Sequence, residues 1–143
     1  MTNGEYSIYV DKKSPPSPIV GNLVKAFIIG GLICCLGQVV SSAFRTGGYS
    51  EVNAGAATSV VLIFLGVLLT AMRVYDKIAK FAGAGTLVPI TGFANSVAAP
   101  AIEFKSEGIV MGLCAKMFVI AGPVLVFGIT ASAVFGVIYR IVA

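Results

Sequence analysis

Between Phe81 and Ile102 the chain reads FAGAGTLVPITGFANSVAAPAI, an uncharged run interrupted by Gly83, Gly85, Pro89, Gly92 and Pro100. It is long enough to cross a bilayer, which takes roughly 20 residues. A smooth lipid-facing helix is not written this way. Helix-breaking residues release backbone N–H and C=O groups, and at membrane depth those groups persist only where protein or a water-filled cavity satisfies them. The segment is therefore expected to be discontinuous, either crossing fully or re-entrant, and it is the candidate solute path.

The surroundings of that segment are hydrocarbon by the same logic. Charged residues make up 11% of the 143-residue chain and mean hydropathy is +0.97, too apolar for a soluble domain to cover with polar groups. Three cleaner uncharged runs, Ala26 to Phe44, Val52 to Met72 and Met117 to Tyr139, are each close to the length needed to span. The expected fold class is an all-α integral membrane protein of about four segments, one of them discontinuous or re-entrant over about 81–102. Residues 19–143 form a single transmembrane domain in this reading. Residues 1–18, which end in Ser14-Pro15-Pro16-Ser17-Pro18, are expected to be a disordered polar tail. Glu5, Asp11 and the missing small-residue cleavage pattern argue that the first span is an uncleaved anchor.

Charge placement sets an orientation. Lys12, Lys13 and Lys25 precede the first span, while Arg73, Lys77 and Lys80 follow the second, which puts the N-terminus and the second loop in the cytoplasm by the positive-inside bias. Arg140 at the far end favours a full crossing by the broken segment over re-entrance, with both termini cytoplasmic. These loops account for the net charge of +4. No stripe of Lys and Arg with interleaved aromatics points to nucleic acid.

Catalytic and metal chemistry find little support. The chain has no His or Trp, and Cys34, Cys35 and Cys114 lie in apolar runs at spacings that match no zinc pattern, so they read as packing residues. Gly83-Ala84-Gly85 lacks the third glycine, the preceding strand and the ribose-binding acid of a dinucleotide loop. Glu103 and Glu107 have the i,i+4 spacing of a helix face at a membrane edge, which needs no acid–base chemistry to explain it. Neither an enzyme nor a cofactor is implied.

Small residues speak to assembly. Gly108 and Gly112 form a G-x-x-x-G, and Gly128, Ser132 and Gly136 recur every four residues, which would let another helix approach closely, within one protomer or between subunits. An internal repeat is also present: Lys25, Phe27, Ile29, Gly31 and Gly37 are spaced as Lys116, Phe118, Ile120, Gly122 and Gly128. Apolar composition produces such matches by chance; a true repeat would make the first and last spans structural equivalents. Lys116 is expected to snorkel to the interface, with an anion contact as its alternative.

Within the broken segment, Thr86, Thr91, Asn95 and Ser96 offer neutral hydrogen-bonding side chains. Helix ends beside Gly85, Pro89 and Gly92 would present N–H groups to an anion or carbonyls to a cation. The solute path or gate candidates are thus Gly83, Gly85, Thr86, Pro89, Thr91, Gly92, Asn95, Ser96 and Lys116. A dry helix pair that uses glycine only for close contact is the competing account.

The run Tyr75-Asp76-Lys77-Ile78, then FAGAGTLVPITGFANS over Phe81 to Ser96, then Glu103 and Ser106-Glu107-Gly108, resembles the SpoVA family of spore-former membrane proteins. The similarity extends more loosely over about Asn22 to Ile141. A longer polar N-terminal tail and the Ser106-Glu107-Gly108 turn favour the AC branch over the AE branch, while Pro100 stands where that family is expected to have alanine. The resemblance implies a subunit of a channel that moves dipicolinic acid and its calcium chelate during sporulation and germination. It further implies a forespore or spore inner membrane location and a hetero-oligomer with an AE-type membrane subunit and an AD-type soluble subunit. Sensitivity to membrane tension belongs to the same implication. The alternative function is a non-conducting membrane subunit that scaffolds a soluble partner.

Overall fold

The computed structural model describes residues 2–14 and 17–142, and these are helical nearly throughout. Six α-helices follow one another: α1 Asn3–Lys13, α2 Ile19–Thr46, α3 Glu51–Ala71, α4 Tyr75–Ala82, α5 Pro89–Glu103 and α6 Ala115–Val142. Three of them, α2, α3 and the Ala121–Val142 part of α6, are long and apolar enough to cross a membrane. At 1.5 Å per residue α5 is only about 22 Å long, short of a hydrocarbon core of about 30 Å. The all-α architecture with one discontinuous segment is as the sequence implies.

The N-terminal stretch read as disordered contains α1, because Thr2 and Glu5 close a capping box: the Glu5 N–H donates to Thr2 Oγ1 and the Thr2 N–H to Glu5 Oε2. Local capping, not burial, holds this helix, and its described side chains are exposed. Met1, Pro15 and Pro16, part of the same reading, lie outside the described residues, as does Ala143.

Helices α2 and α3 form a hairpin. Its turn is closed by an exposed Arg45–Glu51 ion pair and by the edge of one ring meeting the other in Phe44 and Tyr49, with centroids 5.5 Å apart. Ser50 caps α3 by accepting from the Asn53 N–H. The inward face of α3 is a strict four-residue repeat of Ala54, Thr58, Leu62, Gly66 and Thr70, all buried. Small residues at that spacing let backbones approach where lipid supplies no hydrophobic drive. The threonine hydroxyls add no unpaired group, since Thr58 donates to the Ala54 carbonyl at 2.7 Å and Thr70 lies 2.6 Å from the Gly66 carbonyl.

A Schellman turn ends α3. Arg73 takes a left-handed φ of +57°, its N–H donates to the Thr70 carbonyl, and the Val74 N–H reaches back to Leu69. This reverses the chain into the short α4. Beyond it, α5 packs against α3 and α6, and the link between α4 and α5 packs against α2. Among the described residues no large side chain is fully buried, and the outward faces of α2 and α6 are apolar and open.

Candidate functional site

The break in the third of the four segments is built from three local choices. Gly83 stops α4 with a φ of +54°, a conformation that disfavours side chains. Gly83–Thr86 then form one 3₁₀ turn. Val88 is extended, as a residue before proline prefers, and Pro89 opens α5 at its first position, where the missing N–H costs nothing.

Glycine holds this turn against the bundle. A Cβ on Gly85 would lie 2.5 Å from the Ala26 carbonyl oxygen and 2.8 Å from its Cα, so the turn touches the backbone of α2. Gly30, one turn further along α2, faces the Gly85 carbonyl. Gly92 is similarly committed, because a Cβ there would come within 2.8 Å of the Thr86 carbonyl oxygen. That carbonyl accepts from the Tyr75 hydroxyl at 2.9 Å, and Thr86 Oγ1 donates to Gly83 at 3.0 Å. The Thr86 and Gly83 carbonyls are thereby met from within the chain, as membrane depth favours.

The next turns of α5 lie on α3. Gly66 faces the backbone of Thr91 and the Cβ of Ala94. Thr70 Oγ1 is 2.8 Å from the Asn95 side-chain oxygen and 2.6 Å from the Gly66 carbonyl. One hydroxyl hydrogen serves only one acceptor; turning the Asn95 amide so that its NH₂ faces Thr70 satisfies all three groups. Ser96 Oγ donates to the Phe93 carbonyl at 2.8 Å. Thr91 is 7% exposed, and its hydroxyl has no hydrogen-bond partner. Helix α5 continues through Pro100 to Glu103, with the Phe104 N–H donating to the Pro100 carbonyl.

These positions separate the candidates that sequence grouped together. Pro89, Gly92 and Ser96 line a groove of about 1020 Å³ between α3, α5 and α6, whose other walls include Ile63, Val67, Phe93, Ile102 and Leu125. Gly83 lines a second cavity of about 450 Å³ beside the start of α2, with Asn22, Lys80 and Phe81. Gly85, Thr86, Thr91 and Asn95 line neither. The groove is walled almost entirely by apolar side chains, and the polar groups expected to face a solute are spent on α3, α4 or their own helix, Thr91 Oγ1 excepted.

Other candidates also move. Lys116 Nζ sits 4.4 Å from the centre of the Phe104 ring, away from the break. Gly108 is not helical: its φ is +96°, it ends a 3₁₀ turn at Lys105–Glu107, and a π-helix over Ile109–Cys114 follows before α6 begins. Gly112 is pressed onto Glu107 and the Phe104 carbonyl, so within the protomer it serves this turn, while a Cβ on Gly108 would meet open space. Gly128, Ser132 and Gly136 are exposed on the outer half of α6, and a Cβ on either glycine would meet open space. Packing inside the protomer does not use them. Cys34, Cys35 and Cys114, read as packing residues, are exposed on the isolated chain. Sequence reasoning missed Ala26, Gly66, Thr70 and the role of Tyr75; the A-x₃-T-x₃-L-x₃-G-x₃-T period along α3 was the available signal.

Three apolar spanning helices and a glycine-broken segment docked among them define a polytopic helical membrane protein. The family described as SpoVAC/SpoVAEB sporulation membrane protein matches residues 22–138, and the chain belongs to it. It is 46% identical to stage V sporulation protein AC of Bacillus subtilis (strain 168) over 141 residues, covering 96% of this chain and 94% of that protein. No solved structure matches the chain. The resemblance carried by the central motif is borne out, and the family is one of sporulation membrane proteins.

Proposed function

We propose that this chain is one subunit of a hetero-oligomeric channel in the forespore and spore inner membrane that moves dipicolinate with calcium. Membership of the sporulation family supports the setting. The observation that carries the reading is the chain break itself, a 3₁₀ turn seated by Gly85 on the backbone of a spanning helix. Irregular backbone at membrane depth is characteristic of solute paths. Because the protomer pairs most polar groups of the break internally, the path in this proposal lies between subunits, with an AE-type membrane subunit supplying the facing wall and an AD-type soluble subunit docking outside. Open apolar faces on α2 and α6 suit a protomer completed by others. The discontinuous segment crosses fully in this proposal.

A second reading has its own observation. The apolar lining of the groove between α3, α5 and α6 suits a chain that packs and scaffolds without conducting. Liposomes loaded with calcium dipicolinate separate the two. With this chain and an AE-type subunit reconstituted together, efflux is expected to exceed that of either alone. Efflux that is the same with and without this chain assigns it to the scaffold.

A further inference from the structure

Lys25 and Lys116 occupy the first position of the repeated K-x-F-x-I-x-G-x₅-G pattern, and the structure gives both the same kind of partner. Lys25 Nζ lies 5.1 Å from the centre of the Phe81 ring, and Lys116 Nζ lies 4.4 Å from that of Phe104. Both distances are inside the roughly 6 Å over which a ring face attracts an ammonium. The two rings are placed where they matter: Phe81 is in the last turn of α4, two residues before Gly83, and Phe104 caps the C-terminus of α5. Together they bracket the discontinuous segment.

The parallel extends to the neighbours. Each lysine stands about two turns into its helical run, counted from Ile19 for α2 and from Ile109 for the π-helix that leads into α6. Each also has a glycine-mediated backbone contact within one turn. Ala26, beside Lys25, touches Gly85; Gly112, one turn before Lys116, touches the Phe104 carbonyl. Two clasps of one design thus stand at opposite ends of the segment, and chance matching of apolar residues does not supply matching ring partners.

We infer that Lys25 and Lys116 are paired positioning residues that fasten the two ends of the discontinuous segment, Lys25 through Phe81 and Lys116 through Phe104. A lysine at a membrane edge can extend to water or headgroups on either side of its helix. The ring gives the ammonium a fixed seat, and the helix end carrying the ring is fixed with it. Lys116 thereby serves neither as an anion contact nor as a freely snorkelling side chain. This inference does not depend on the assembly conducting.

Hydrogen exchange of the purified full chain in nanodiscs tests it. Lys25→Met and Phe81→Leu should each speed amide exchange over residues 82–88, by about 3- to 30-fold given the usual range for such pairs, and leave 104–112 unchanged. Lys116→Met and Phe104→Leu should do the reverse. Lys25→Met combined with Phe81→Leu should be no faster than either alone, and Lys→Arg at either site should restore slow exchange, since a guanidinium also sits on a ring. Overturning results are a phenylalanine effect that the matching lysine change does not reproduce, failure of arginine to restore, or acceleration spread equally into residues 54–70 of α3. Each would reduce the ring to packing area or the lysine to general stability.

Discussion

Thr70 of α3 and Asn95 of α5 meet at 2.8 Å, a part-buried hydrogen bond between the side chains of two apolar helices. Within the protomer, Asn95, a solute-path candidate by sequence, lies on the seam between α3 and α5. Hydrogen bonds of this kind within bilayers contribute about 0.6 kcal/mol on average, up to about 1.7. Asn95→Leu and Thr70→Ala are each expected to lower the thermal midpoint of the purified chain, and the double variant to lose less than the sum. Fully additive losses in that cycle would show that the two side chains do not act together.

Gly85→Val should be far more damaging. The added carbons would enter the Ala26 backbone, not a side chain that could rotate away. Protein abundance is expected to collapse, and Ala26→Gly should fail to restore it, because the obstructing atoms remain. Gly83→Ala faces open space but must hold a φ of +54° with a ψ of −123°, so it should cost about 1–3 kcal/mol and leave the protein detectable by blotting. Equal abundance of Gly85→Val and the parent would contradict the seated turn.

Thr91→Val tests a group with no partner. A buried hydroxyl without a hydrogen bond costs about 1–3 kcal/mol, so an isosteric methyl is expected to leave the thermal midpoint unchanged or raise it. Dipicolinate content and release rate of spores carrying the variant should match the parent. A fall in release at normal abundance would place Thr91 against the solute after all.

Ser132→Leu should separate fold from assembly. The residue is exposed, between two glycines that face open space, so the protomer's own thermal midpoint should not change. Co-purification with an AE-type subunit should fall several-fold if a partner helix approaches along Gly128, Ser132 and Gly136. Undiminished co-purification would assign that face to lipid.

How much of this was legible follows from what sequence encodes locally. Gly83, Pro89 and the uncharged run around them announce a break by conformational preference alone, and the three long spans follow from hydropathy. The capping box of Thr2 and Glu5 was equally local but was masked by a polar composition that suggested disorder. Contacts were a different matter. That Gly85 seats on Ala26, or that Asn95 turns to Thr70 and not to a cavity, depends on which faces of separate helices meet. Small residues fit many neighbours, so their spacing shows that something approaches without saying what. Gly112 makes the point: half of a pattern known for joining helices is pressed here onto its own turn.

The π-helix ahead of α6 carries its own consequence. Its hydrogen bond runs from the Leu113 N–H to the Gly108 carbonyl at 2.9 Å, five residues back. Each residue of a regular α-helix turns the chain by about 100°, so one residue gained or lost in such a helix swings everything downstream to a new azimuth. A wider turn takes up the extra residue where it stands. The compass bearing of α6, and with it the direction in which Ser132 faces, is therefore set in part by this one widened turn between Glu103 and Ala115.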